Sequence, residues 1–153
     1  MKRAFRRWVR LPAAWHWVVV LLWAATIYWL SSQSGDELPD VGFTIPHFDK
    51  FAHFVAYACG GALMALAFWR SSFSWKGAII ASIVLLALFG GSDEWHQLST
   101  PGRTGGDVFD WLADLLGAVA GSVFIALYVR TDPAHAAGGP RRDPLPPEGT
   151  PGA

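Results

Sequence analysis

Four stretches of the chain run almost free of charge and close to the roughly 20 residues a helix needs to cross hydrocarbon. They are Leu11 to Leu30, Phe51 to Trp69, Trp75 to Gly91 and Val108 to Val129. The third is short by strict count, so either it carries polar residues at one end or the bilayer thins around it. Beyond Arg130 the chain turns dense in Pro, Gly and Ala, with almost no large apolar residue to bury, which is the composition of a disordered spacer. The pattern predicts an all-α fold, a four-helix transmembrane bundle over residues 11–130. A basic segment, 1–10, precedes it and a disordered Pro/Gly-rich tail, 131–153, follows. The opening MKRAFRRWVR and the apolar run after it also fit a secretory leader. That run is longer than a leader core, however, and Ser31-Ser32-Gln33 is a poor cleavage site, so it is read as a span.

Composition agrees with a bilayer. Of the 153 residues, 52% are hydrophobic and only 16% charged, against roughly a quarter charged in average proteins. The net charge of zero and the lack of a basic patch beyond the first ten residues leave nucleic acid without electrostatic support as a partner. One cysteine, Cys59, excludes an internal disulfide and any multi-cysteine metal site. It reads as a small buried hydrophobe.

Lys and Arg set the orientation. Lys2, Arg3, Arg6, Arg7, Arg10, Arg70, Lys76, Arg130, Arg141 and Arg142 fall on one side and only Lys50 and Arg103 on the other, which predicts cytoplasmic N- and C-termini. The tryptophans fit this frame, with Trp8, Trp15, Trp17, Trp69 and Trp75 at the inner interface and Trp29, Trp95 and Trp111 at the outer.

Acidic residues gather on the outer side, where nine of the twelve lie between Asp36 and Asp114. Three segments converge there: His47 to Tyr57, Ser92 to Gln97, and Pro101 to Asp114. Helical spacing puts Asp49, His53 and Tyr57 on one stripe, and Asp107, Asp110 and Asp114 within an arc of roughly 60°. A carboxylate this deep in a span costs up to roughly 2.5–3.5 kcal/mol unless it faces the bundle interior and finds a partner. Arg103, Lys50 and His53 are the expected partners. Gly117 and Gly121 form one small-residue pair and Ala52, Ala56 and Gly60 a small-residue ladder, which makes the second and fourth spans expected neighbours.

Each of these residues also has a plainer reading. The Asp, Arg and Lys set reads as interhelical pairing that holds register, His53 and His96 as half-solvated interfacial imidazoles, and Tyr57 as a packed aromatic with a satisfied hydroxyl. Gly90-Gly91 and Gly105-Gly106 read as turn or helix-end residues. Zincin-type histidine spacing is missing, and no metal or cofactor is expected, although Asp49, His53, Glu94 and Asp114 could supply an oxygen-rich site. Pro101-Gly102 predicts a tight turn that presents the Arg103 guanidinium to a carboxylate or phosphate.

The order Asp49-Lys50-Phe-Ala-His53-Phe-Val-Ala-Tyr57, Ser92-Asp93-Glu94-Trp-His-Gln97, Pro101-Gly102-Arg103-Thr-Gly and Asp110-Trp-Leu-Ala-Asp114-Leu-Leu-Gly117 resembles the VanZ-like family of small membrane proteins, over roughly residues 45 to 128. The resemblance implies that Asp49, Lys50, His53, Tyr57, Asp93, Glu94, Gln97, Arg103, Asp110 and Asp114 are the polar ligand-binding positions. Two departures stand out. Many members carry Asn where this chain has Asp114, and the interval from Arg103 to Asp110 is one residue longer than usual. The family's namesake is associated with low-level resistance to the glycopeptide teicoplanin.

The expected function is an integral protein of the bacterial cytoplasmic membrane whose outward-facing polar recess binds an anionic or amphipathic envelope molecule such as a lipid headgroup or envelope precursor. In that reading Arg103 and Lys50 supply charge, Asp110 and Asp114 orient them, and Glu94 and Gln97 touch the ligand. Membrane lipids are the expected partners, with a homo-oligomer left open. The alternatives are an enzyme that acts on a lipid-linked substrate through a buried carboxylate and His53, and a proton-linked transporter built on Asp and His pairs.

Overall fold

The computed structural model describes residues 2–34, 48–103 and 105–131. The expected disorder of the tail, the acidic stretch between Asp36 and Asp40, and His47 lie outside the described residues. Five helices form: α1 (Lys2–Val9), α2 (Ala13–Ser31), α3 (Phe48–Arg70), α4 (Trp75–Gln97) and α5 (Val108–Thr131). The last four are long and apolar enough to span a membrane, and no strand occurs among the described residues.

The large apolar side chains face outward, as a lipid-solvated bundle requires. Leu21, Leu22, Leu88, Leu116 and Phe124 are all more than 60% exposed, whereas the packed interior is rich in Ala, Gly and Ser. Lipid tails are as apolar as leucine, so helices in a bilayer gain most by close backbone approach over small residues.

That approach is tightest between α3 and α5. A Cβ at Gly117 would meet the Phe54 carbonyl, one at Gly121 the Ala58 carbonyl, and one at Gly61 the Ala118 carbonyl. The Ser122 hydroxyl donates to the Gly61 carbonyl at 3.2 Å across this seam. The expected adjacency of the second and fourth spans is therefore present, but on a different face of α3. The ladder of Ala52, Ala56 and Gly60 points elsewhere: Trp23 of α2 lies over Gly60 and donates its indole N–H to the Ala56 carbonyl at 3.1 Å. Both faces of α3 carry small residues, and a bulky indole needs one as much as a second backbone does.

Three further expectations change. Gly90 and Gly91 sit inside α4, because that helix continues to Gln97 and takes the polar residues 92–97 with it. This resolves the short third span in favour of polar residues at one end, its C-terminal one. Cys59 is exposed on the outer surface of α3, one position from the seam residue Ala58 and rotated away from it. Residues 2–9 form a helix that closes one end of the bundle, at the C-termini of α3 and α5: Phe5 meets Tyr128 edge-on at 5.1 Å, Trp8 meets His16 at 4.8 Å, and Val9 is buried in a cluster with Trp69 and Val129. Arg3 and Arg7 on the same helix are exposed, so α1 is amphipathic.

Candidate functional site

Where the N-termini of α3 and α5 meet the C-terminus of α4, the polar residues divide into two neighbouring clusters. Lys50 and His53 stand one turn apart on α3, opposite Asp110 and Asp114, one turn apart on α5. Lys50 pairs with Asp110 across 60 positions of sequence, His53 with Asp114 across 61, and Gly61 with Ser122 across 61. A nearly constant offset over three turns is the signature of two parallel helices in register.

In the outer cluster the Lys50 ammonium donates to Asp49 and Asp107 at 2.9 Å each and to Asp110 at 3.0 Å. Asp49 is exposed and Asp110 buried. The stripe expected for Asp49, His53 and Tyr57 is therefore split, because each step of four residues overshoots the turn by about 40°. Asp107 is the residue that sequence reasoning left out of the site. It lies just before α5, where its Oδ1 accepts from the Phe109 N–H at 2.8 Å as a helix cap. Its Oδ2 holds Lys50 and its own N–H donates to Glu94 Oε2 at 2.9 Å. An Asp immediately ahead of an apolar run was the available signal. The Lys50 ammonium holds the Asp107 carboxyl below the usual carboxylate range.

The inner cluster joins His53, Glu94 and Asp114, one from each of three helices. His53 Nδ1 lies 2.9 Å from Asp114 Oδ1, and one ligating atom of each residue falls within 4.8 Å of the others. Asp114 is fully buried and Glu94 is 6% exposed. Asp114 Oδ2, Glu94 Oε1 and the Tyr57 hydroxyl are buried without a hydrogen-bond partner among the described residues. The expectation of a satisfied Tyr57 hydroxyl thus fails. Trp23 and Phe89 pack on the ring and bring no acceptor to the oxygen. Space for this cluster comes from Gly90, where a Cβ would stand 2.8 Å from Asp114 Oδ2.

Beside these clusters lies a recess of about 140 Å³ between α2, α3 and α4. Ile27, Leu30, Ala52 and Ala56 make its apolar wall, and His53, Asp93, Gln97 and Arg103 its polar end. Asp93 is buried, with Oδ2 accepting from the Gln97 amide at 3.0 Å and Oδ1 unpartnered. Arg103 is delivered by the expected turn: its N–H donates to the Thr100 carbonyl at 3.2 Å, with Pro101 leading and Gly102 at φ 71°, the type II pattern. The half-buried Arg103 guanidinium makes no ion pair or hydrogen bond with any described residue. Of its expected pairings with carboxylates, none forms among them. His96 lies outside the recess, 3.1 Å from the Ser32 hydroxyl and stacked on Tyr28.

Four helices of spanning length that bury carboxylates beside a half-buried histidine and lysine at one end define a multi-pass membrane protein with a polar recess. A model of the VanZ/LLP1 family matches residues 14–129, and the chain belongs to that family. No curated protein and no solved structure matches it.

Proposed function

We propose that this VanZ/LLP1-family protein binds an amphipathic molecule of the cell envelope in the recess between α2, α3 and α4. The anionic head of that molecule sits at Arg103 and its apolar part along Ile27 and Leu30. One observation carries the reading: a half-buried guanidinium with no carboxylate partner among the described residues, at the mouth of a cavity with an apolar wall. Lys50 has a different place here from the one its charge suggested. Three carboxylates occupy its ammonium, so it holds α3 to α5 and Arg103 alone takes the ligand's charge. The excess of Lys and Arg on the opposite side supports an outward-facing recess in a bacterial cytoplasmic membrane, with both termini inside. In this reading the link to glycopeptide (teicoplanin) resistance or envelope homeostasis runs through withholding or presenting an envelope component.

A charged hydrogen bond is worth about 1.5–3 kcal/mol, or roughly tenfold and more in affinity. In native mass spectra of gently purified protein, wild type is expected to retain an anionic lipid that Arg103→Ala loses about tenfold. Identical lipid profiles would sink the proposal.

The His53–Asp114 pair supports a second reading, an enzyme that acts on a lipid-linked substrate. A carboxylate on Nδ1 fixes the imidazole tautomer and leaves Nε2 to accept a proton. Turnover of a labelled envelope lipid that vanishes in folded His53→Ala would put this reading first.

A further inference from the structure

The inner cluster raises a question of charge that the binding recess does not answer. Glu94 and Asp114 are buried within a spanning bundle, and Lys50 lies in the other cluster, engaged by three different carboxylates. His53 reaches only Asp114 Oδ1. Each of the two acids thus keeps one oxygen without a partner among the described residues, where an unpaired buried charge is costly.

We infer that His53, Glu94 and Asp114 form a binding site for one divalent first-row transition ion, of the Mn²⁺ or Zn²⁺ kind. Metal bonds of about 2.0–2.2 Å place ligand atoms about 3–4 Å apart, and the three donors already lie within 4.8 Å of one another. One imidazole nitrogen with two carboxylates suits manganese or zinc better than an all-oxygen magnesium site. The charge matches as well, since two carboxylates and a neutral imidazole balance a dication.

Three structural details prepare the site. Glu94 is fixed through Oε2 by the Asp107 N–H at 2.9 Å, which leaves Oε1 to point inward as a supported ligand does. Gly90 keeps the volume beside Asp114 Oδ2 open. Independently of the acids, the Tyr57 hydroxyl is buried and unpartnered, and its ring edge lies 3.4 Å from the same Gly90 Cβ position that Asp114 Oδ2 approaches to 2.8 Å. Tyr57 therefore lines the same space, with a buried hydroxyl that has no partner among the described residues.

This site goes beyond the lipid proposal and is read separately from it. The full chain, purified in detergent and stripped with chelator, is titrated calorimetrically with MnCl₂ and with ZnCl₂, and Mn²⁺ is followed in parallel by electron paramagnetic resonance. One saturable site is expected in wild type and in Asp49→Asn, the latter altering only the outer acidic cluster. Loss of supporting partners alone costs about 10–100-fold in metal affinity, so His53→Gln and Glu94→Gln are each expected to lose about 100-fold or more while keeping wild-type helicity. The nitrogen coupling in the Mn²⁺ spectrum should vanish in His53→Gln. Absence of saturable binding by either ion in wild type would overturn the site, as would binding that falls in Asp49→Asn and survives in Glu94→Gln.

Discussion

Gly121→Val is expected to cost the bundle roughly 3 kcal/mol or more, the upper end of what overpacking does to a close-packed interior. The obstacle is the Ala58 carbonyl, not a side-chain tip, so no rotamer change can relieve it and α3 must move off α5. That movement also draws the Gly61 carbonyl away from Ser122, whose hydroxyl now donates to it at 3.2 Å. Thermal unfolding in detergent would show a large fall in midpoint for Gly121→Val and a smaller one for Gly121→Ala. Gly91→Ala is the control, because the nearest atom to a Cβ there is 3.7 Å away on Trp111 and alanine is the better helix former. It should melt at or slightly above wild type. Equal midpoints for Gly121→Val and wild type would mean that α3 and α5 do not meet along this seam.

Loss of His53 should rank next. His53→Ala removes the one hydrogen-bond partner that a fully buried carboxylate has among the described residues, and breaking a buried pair from one side costs about 3–5 kcal/mol. Much of that cost is the stranded charge rather than the lost bond. Asp114→Asn placed in the His53→Ala background is accordingly expected to restore most of the lost stability, and Asp114→Asn alone to cost less than His53→Ala. A double-mutant cycle measured by denaturation in detergent tests this. If the two effects simply added, the pair would not be coupled and the geometry would lose its meaning.

The spans themselves were legible in the chain because hydrocarbon imposes a length, and uncharged runs of that length are hard to mistake. The C-terminal end of α4 was not, since residues 92–97 look like a connector to any reading based on apolarity. In the helix Asp93 and Gln97 pair with each other across one turn and Glu94 takes the Asp107 N–H, with all three side chains buried. Position along the chain brought the right polar residues to one end of the bundle. It could not pair them, because Lys50, His53 and Arg103 are equally suitable cations for Asp110 and Asp114 until the offset between α3 and α5 is known. With that offset, Lys50 goes to Asp110, His53 to Asp114, and Arg103 remains over. Gly90 illustrates a different limit. Its use is to leave space for a carboxylate 24 positions later, and nothing local in the sequence announces that. The role of α1 was hidden for a similar reason, since a run rich in arginine reads as solvated until Phe5, Trp8 and Val9 find aromatic and aliphatic partners on other helices.

The parallel offset between α3 and α5 also determines where this chain can change length. One residue added or removed between positions 50 and 61, or between 110 and 122, would turn everything on one side of it by about 100° and separate either the ionic pairs or the glycine seam from its counterpart. The segment from 98 to 106 lies between α4 and the cap of α5, where an insertion rotates neither helix. Natural variation in chain length is thus expected to concentrate there, at the loop that carries Arg103, so that the reach of that side chain can drift while the acidic core beneath it stays fixed.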